Sequence, residues 1–172
     1  MRHSAALPFF LSRSDDVIGW EITSTTETVH GLLLLDGPRV IIQWRVGRQT
    51  DHIGAEIRTD REVDPVQEVV LPLGEIATAT VRASRWPWRP GLRLVLTAAD
   101  LRAFESVAGV AGLSLDHPAE LVLRVRRGDR TLAREFVGEL QLALAELALD
   151  RAEAEVPGAL PGTGERRPLS GG

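Results

Sequence analysis

The sequence contains no cysteine, and its 20 basic residues are all arginine, so lysine is absent as well. A chain without cysteine has no disulfide framework, no thiol nucleophile and no thiolate metal site. A chain without lysine has no Schiff-base residue and cannot build the usual phosphate-binding P-loop. These absences exclude several common kinds of enzyme, and they leave open the roles that depend on surface shape and charge.

The histidines and serines show no catalytic pattern. The four histidines are His3, His30, His52 and His117. None has a second potential ligand at helical or hairpin spacing, so we expect surface or turn histidines and no metal site. Ser106 and Ser114 lack the context of a nucleophile elbow, and no glycine-rich phosphate loop follows a predicted strand. We therefore expect a protein that is not an enzyme and uses no cofactor.

The first residues contain no long hydrophobic run. The apolar segment 7–11 is interrupted by Pro8. It is too short for a membrane span or for the core of a signal peptide. On this basis the sequence predicts a cytoplasmic protein.

The composition indicates one globular domain with uneven charge. With 172 residues and 44% hydrophobic content, the chain can bury a core without disulfides or metals. The net charge of −4 argues against nucleic-acid binding, because affinity for phosphates requires concentrated positive charge. Acids dominate between Asp51 and Glu75, whereas arginines are the only charged residues from Arg82 to Arg93. Such runs are typical of solvated loops or of a ligand-binding patch.

Alternating hydrophobicity and turn signals predict about seven short strands. They are Gly31–Leu35, Arg39–Val46, His52–Arg58, Gln67–Leu71, Glu75–Ala83, Leu92–Leu96 and Leu121–Val125. In Glu75–Ala83 the alternation places Ile76 and Thr78 on one face and Ala77 and Ala79 on the other. Residues 1–30 are interpreted as an N-terminal arm or an extra strand, the strand signal falling on Val17–Thr25. The segment Thr97–Asp100 matches a capping box and predicts about two helical turns, with a continued hairpin as the alternative.

The last predicted element is a long amphipathic helix, preceded by a turn at Gly128 and Asp129. Its apolar stripe consists of Leu132, Phe136, Val137, Leu140, Leu144 and Leu147. Leu142 and Leu149, a heptad apart, fall on another side of the helix, beside polar residues. They face either a binding partner or a covering segment of the same chain. Residues 151–172 are rich in proline, glycine and charge, which predicts a flexible tail.

These elements predict a mainly β fold, an open barrel or sandwich of about seven antiparallel strands capped by a C-terminal helix. The order resembles the pleckstrin-homology-like (PH-like) superfold. The segment Glu68–Arg82 is similar to the bacterial PH-like pattern of strand, turn and strand, with Pro72, Leu73 and Ile76 in the turn. The resemblance covers residues 31–150, with departures at 50–65 and after Thr97. It implies a binding platform for lipid headgroups, peptides or proteins.

One loop within the predicted domain combines aromatic and basic residues. Arg85, Trp86, Trp88 and Arg89 flank Pro87, which stiffens the backbone. Tryptophan and arginine are enriched in interface hot spots and at the lipid headgroup boundary. The alternative is that both indoles fold back and close the end of the barrel.

Three classes of function follow. The first is a non-enzymatic interaction or scaffold module that binds a protein partner or itself, through the loop with Arg85, Trp86, Trp88 and Arg89 and through Leu142 and Leu149. The second is a peripheral domain that binds anionic lipid. The third, a small-molecule-binding or catalytic barrel, has the least support, because no set of polar residues converges in the sequence.

Overall fold

The computed structural model describes residues 4–18, 22–54, 56–83, 91–108, 112–113 and 115–155. In this part of the chain, eight antiparallel strands form one open sheet, and a long helix follows them, which confirms the predicted fold class. The strands are β1 (Ser4–Ile18), β2 (Ile22–Asp36), β3 (Arg39–Ile53), β4 (Ile57–Val63), β5 (Gln67–Pro72), β6 (Ile76–Ala83), β7 (Leu92–Ala98) and β8 (Glu120–Val125). The helices are α1 (Glu105–Ala108) and α2 (Arg130–Glu155), with 3-10 turns at Leu73–Glu75 and Arg127–Asp129.

The strand order in the sheet is β4-β3-β2-β1-β8-β7-β6, and β5 also pairs with β3. β4 and β5 lie one after the other along the same edge of β3. β4 pairs with Gly47–Ile53, and β5 pairs with Arg39–Trp44. Between these two strands the backbone amide of Asp64 donates to the carbonyl of Val46 at 2.8 Å, which holds the connection against β3.

The first thirty residues belong to the sheet. β1 pairs with β2 over its whole length and meets β8 at the single pair Phe10 and Arg124. Leu7 and Phe9 of β1 are buried in the core. The N-terminal segment therefore forms strands, as one of the two predictions for it stated. The predicted strand Val17–Thr25 is divided between the end of β1 and the start of β2.

One face of the bent sheet forms the core together with α2. Trp44 of β3, Leu94 of β7 and Leu123 of β8 are almost completely buried, and α2 packs against β6 and β1. Phe104 and Leu113, described residues of the β7–β8 connection, add a second cover, because both side chains are buried as well. The core face of the sheet is thus covered both by the C-terminal helix and by described residues of the β7–β8 connection.

The core stripe of α2 differs from the predicted one at its edge. The buried residues are Ala133, Phe136, Val137, Leu140 and Ala143, with Leu144 and Leu147 packed partly against them. Leu132, predicted to belong to the stripe, is 38% exposed. At 100° per residue Leu132 points to the margin of the stripe, and the smaller Ala133 takes the central position. The helix continues to Glu155, five residues into the predicted tail, and residues 156–172 lie outside the described part.

Three further predictions from local pattern were wrong. His52–Arg58 is not one strand, because β3 ends at Ile53 and β4 begins at Ile57. Ile76 does not share a face with Thr78, because a β-bulge at Ala77 shifts the register and buries both Ile76 and Ala79. Thr97 does not cap a helix, since it lies within β7. The helical turn comes later, where Asp100 Oδ1 accepts a hydrogen bond from the backbone amide of Arg102 at 3.0 Å.

A close approach between β1 and β2 provides a test of the core register. Phe9 pairs directly with Gly31, and its ring occupies the space where a Cβ on Gly31 would lie. The backbone carbonyl oxygen of Gln43 is only 2.7 Å from the same position. We expect Gly31→Ala to lower the free energy of unfolding by about 1–3 kcal/mol, because the backbone cannot move aside as a side chain could.

Urea denaturation would measure this effect. The control is Gly128→Ala, since a Cβ on Gly128 meets nothing within 4 Å. It should change the free energy of unfolding by no more than about 0.5 kcal/mol. Equal effects of the two substitutions would contradict the close packing of Phe9 on Gly31.

Candidate interaction surfaces

The predicted aromatic and basic loop lies at the end of the β6–β7 hairpin. Arg85, Trp86, Trp88 and Arg89 themselves lie outside the described residues, so their role as a site stays a prediction. The stem of the loop is described. Ala83 pairs with Leu92 in the last described pair of the hairpin.

A cleft opens between this stem and the start of α2. Two adjoining hollows, each of about 300 Å³, share Ala83, Leu92 and Arg130 in their walls. Val81 and Val137 extend the apolar part of the lining. The basic part consists of Arg127, Arg130 and Arg134, which are exposed and form no ion pair with any described residue. We call this feature the arginine cleft.

The side of α2 opposite the core carries a second surface. Leu142 is 50% exposed and Leu149 is 64% exposed. The exposed residues at alternating spacings of four and three on this side are Gly138, Leu142, Ala145, Leu149 and Ala152. This spacing is that of the a and d positions of a coiled coil. We call these five residues the leucine seam. Both predicted helix residues lie in it.

The arginine cleft and the leucine seam adjoin. Gly138 is both the first residue of the seam and part of the cleft wall. Gln141, also in the cleft wall, donates from Nε2 to the carbonyl of Ala79 at 3.0 Å and ties α2 to β6. The stem of the predicted loop and the predicted helix residues therefore belong to one continuous surface.

A third surface could not be recognised from the sequence. A row of residues in register crosses six strands on the outer face of the sheet: Arg82, Arg93, Arg124, Phe10, His30 and Arg45. Directly paired residues project to the same face, opposite the buried side chains of Leu94 and Leu123. This face is partly covered at β7, where Val95 is buried and Arg93 and Arg124 line a hollow with Asp116. Measured along the sheet, the row spans about 24 Å, five steps of about 4.8 Å. We call it the basic row.

Apolar residues lie beside the basic row on the same outer face. Leu34, Ile41 and Val70 are paired across β2, β3 and β5. Val70 is 43% exposed, and Leu34 and Ile41 are partly exposed. Leu32, also partly exposed, lies between this group and the basic row, and the partly exposed Phe10 lies within the row. The outer face of the sheet therefore combines positive charge with apolar surface.

Beyond the core, the first four strands continue as a projection. It comprises residues 12–18, 22–28, 47–53 and 57–63, and about seven residues of strand make it about 23 Å long. We call it the β arm. At its tip Ile18, Ile22, Ile53 and Ile57 are paired in one row across the four strands. Ile22, Ile53 and Ile57 are 44%, 46% and 80% exposed.

Polar interactions hold the β arm together in place of a core. On one face Arg48 bridges Glu27 at 3.1 Å and Asp64 at 3.2 Å. The hydrogen bond that Arg48 donates to Glu27 and, after it, the charge of Asp64 raise the pKa of Arg48. On the other face Thr59 Oγ1 donates to Asp51 at 2.7 Å, and Gln49 donates to the same carboxylate at 3.1 Å. These bonds, led by that from Thr59, hold the pKa of Asp51 below its ordinary value of 3.8.

The described residues contain no group of three histidines, acids or cysteines that could hold a metal ion. Among the described helices, none is both long enough and apolar enough to cross a membrane. A comparison of the chain with protein-family models gave no match, and comparisons with curated proteins and with solved structures gave none either.

The hydrogen bond from Thr59 to Asp51 provides a test of the structure of the β arm. We expect Thr59→Val to raise the pKa of Asp51 toward its ordinary value, because the largest cause of the lowering is removed. A carboxylate with a lowered pKa stabilises the fold above the pKa of the unfolded chain, and that stabilisation is lost as the pH falls through the folded pKa. Thr59→Val should therefore be less stable than the wild type at neutral pH, and this difference should vanish in acid.

The pKa of Asp51 can be measured by NMR titration of its side-chain carboxyl carbon. Thr28→Val, which removes a hydroxyl of the β arm distant in register from Asp51, is the control and should leave this pKa unchanged. An unchanged pKa of Asp51 in Thr59→Val would refute the assigned hydrogen bond.

Proposed function

We propose that this protein is a non-enzymatic, PH-like interaction module that binds an acidic amphipathic segment of a partner protein. The observation that carries the proposal is the continuity of the arginine cleft with the leucine seam on α2. An antiparallel sheet with a C-terminal helix supports the PH-like assignment.

Charge favours an acidic partner. Three arginines, Arg127, Arg130 and Arg134, line the cleft without a described carboxylate as ion-pair partner. Arginine presents a planar set of donors that matches a carboxylate in two parallel hydrogen bonds. The apolar floor beside the arginines lowers the local dielectric and strengthens such pairs.

The spacing of the leucine seam favours a helical partner. Leucines a heptad apart, alternating along the seam with the small residues Gly138, Ala145 and Ala152, leave room for the side chains of a second helix to pack closely. An amphipathic helix laid on this seam would bring its polar flank to the arginine cleft. The apolar face and the acidic flank of such a partner helix would bind side by side, because the cleft and the seam share Gly138.

Fluorescence anisotropy with a labelled acidic amphipathic helical peptide tests the proposal. A peptide with the same apolar positions and reversed charges is the reference ligand. We expect the wild type to bind the acidic peptide at least about ten-fold more tightly, a difference of about 1.4 kcal/mol. Both Arg130→Glu/Arg134→Glu and Leu142→Glu/Leu149→Glu should weaken that binding about ten-fold.

Leu132→Glu is the matched control, since Leu132 is an exposed leucine of the same helix that lies outside the seam. It should bind the acidic peptide as the wild type does. Equal affinity for the two peptides would contradict an acidic partner, and insensitivity to Leu142→Glu/Leu149→Glu would contradict the role of the seam. Light scattering of wild type and Leu142→Glu/Leu149→Glu would show whether the seam instead pairs with a second copy.

A second candidate is a domain that binds anionic lipid. It is favoured by the position of the arginine cleft at the stem of the loop that carries Trp86 and Trp88, since arginine and tryptophan together suit the headgroup region. We expect sedimentation with anionic vesicles at low salt, and its loss in Arg130→Glu/Arg134→Glu.

The control for the vesicle experiment is Arg102→Glu, because Arg102 is exposed and does not line the cleft. Arg102→Glu should sediment like the wild type. If wild-type protein stays in the supernatant at low salt, the lipid candidate fails.

A further inference from the structure

The β arm and the rest of the molecule differ in charge. Residues 12–28 and 47–64, which include the β arm and its turns, contain nine acidic residues and four arginines, a net charge of −5. Because the whole chain carries −4, the remainder carries +1. The basic row lies on that remainder, so an acidic projection and a basic face occur on one molecule.

Arg48 and Arg58 pair with acids within the β arm, but other charged residues on both surfaces form no ion pair within the described residues. On the β arm, Asp15, Asp16 and Asp51 form no ion pair there. Asp16 accepts a hydrogen bond from Ser24 Oγ, an uncharged donor, at 2.6 Å. In the basic row, Arg45 and Arg93 likewise form no described ion pair.

The apolar parts of the two surfaces are arranged alike. On the β arm, Ile53 is two residues from Asp51 on the same face, a distance of about 7 Å along the strand. On the outer face of the body, Leu32 is two residues from His30 in the same way, and Leu34 continues the apolar surface. Each surface therefore carries an apolar row and a charged row of opposite sign, two residues apart on the β arm and four residues, about 13 Å, apart between Leu34 and His30 on the body.

We propose that the β arm of one copy docks onto the outer sheet face of a second copy. The isoleucine tip would cover Leu34, Ile41 and Val70 of that copy, and the acids of the arm would approach its basic row. Because the two contacting surfaces are different, the contact is heterologous and repeats head to tail. The leucine seam on α2 takes no part in it.

A second copy fits both surfaces better than other occupants do. A nucleic acid would neutralise the basic row and would leave the row of isoleucines exposed. An anionic membrane would repel the acidic arm that carries those isoleucines. A partner that complements both the β arm and the outer sheet face needs a basic, apolar face and an acidic, apolar projection of its own. A second copy of this chain has both.

Light scattering coupled to size exclusion tests the docking on the full chain. We expect the wild type to exceed twice the monomer mass at high concentration and low salt, and to return to the monomer mass at high salt. The arm variant Asp16→Arg/Ile53→Ser/Ile57→Ser and the face variant Arg45→Glu/Arg93→Glu should each be monomeric. All five positions are exposed, so both variants should fold, which circular dichroism and thermal melting would check.

Mixing the two variants makes the test specific. The intact arm of the face variant can dock on the intact face of the arm variant, so an equimolar mixture should form a dimer and nothing larger. A contact between identical surfaces would not be restored in this way. Leu142→Glu/Leu149→Glu should assemble like the wild type, which separates this docking from the role of the seam.

Three results would overturn the proposal: a wild type that is monomeric under all these conditions, single variants that assemble like the wild type, or a mixture that stays monomeric. Binding of anionic vesicles or of a single-stranded oligonucleotide to a monomeric wild type, abolished by Arg45→Glu/Arg93→Glu, would assign the basic row to that occupant instead.

Discussion

The structure depends on the burial of one continuous apolar face of a bent antiparallel sheet. Leu33 and Trp44 from the first strands share a core with Leu123 from the last strand, and Phe136 of α2 covers them. The two halves of the sheet, β1–β5 and β6–β8, are joined in the described residues by one backbone pair between β1 and β8. Shared burial, more than backbone hydrogen bonding, therefore holds the two halves together. Because the inner face carries this task, the outer face and the far side of α2 are free to carry charge and exposed leucines.

The β arm follows from strands that are longer than the core they cover. On the core face of β3, apolar side chains run from Val40 to Val46, and from Arg48 onward the same face is polar. Cross-strand hydrogen bonds and the ion pairs of Arg48 replace hydrophobic burial there. The isoleucines at the tip lie beyond both kinds of stabilisation, so the stability of the fold gives no reason for their presence.

Local pattern was sufficient for the parts of the fold in which one face is buried. The strands around Val40–Val46 and Leu121–Val125 alternate clearly, and the apolar stripe of α2 has helical spacing. In the β arm most side chains are polar on both faces, and Ile53, Ala55 and Ile57 alternate through the turn after Ile53, so the sequence pattern continues where the strand ends. The basic row could not be predicted from the sequence for a different reason. Arg45, Arg82 and Arg124 are far apart in the sequence, and only the strand register makes them neighbours.

The basic row also bears on how the molecule balances stability against binding. Like charges directly opposite on neighbouring strands are unfavourable, by an amount comparable to the roughly 0.2–1 kcal/mol of a favourable pair. Arg82 faces Arg93, and Arg93 faces Arg124, so the sheet carries this cost twice. A ligand or partner with negative charge removes the repulsion when it binds, and the relief adds to its affinity.

Because the seam on α2 and the basic row lie on separate surfaces, a partner helix and a second copy could bind simultaneously. In an assembly, neighbouring copies would then present their seams together and bind a multivalent partner more tightly than one copy does.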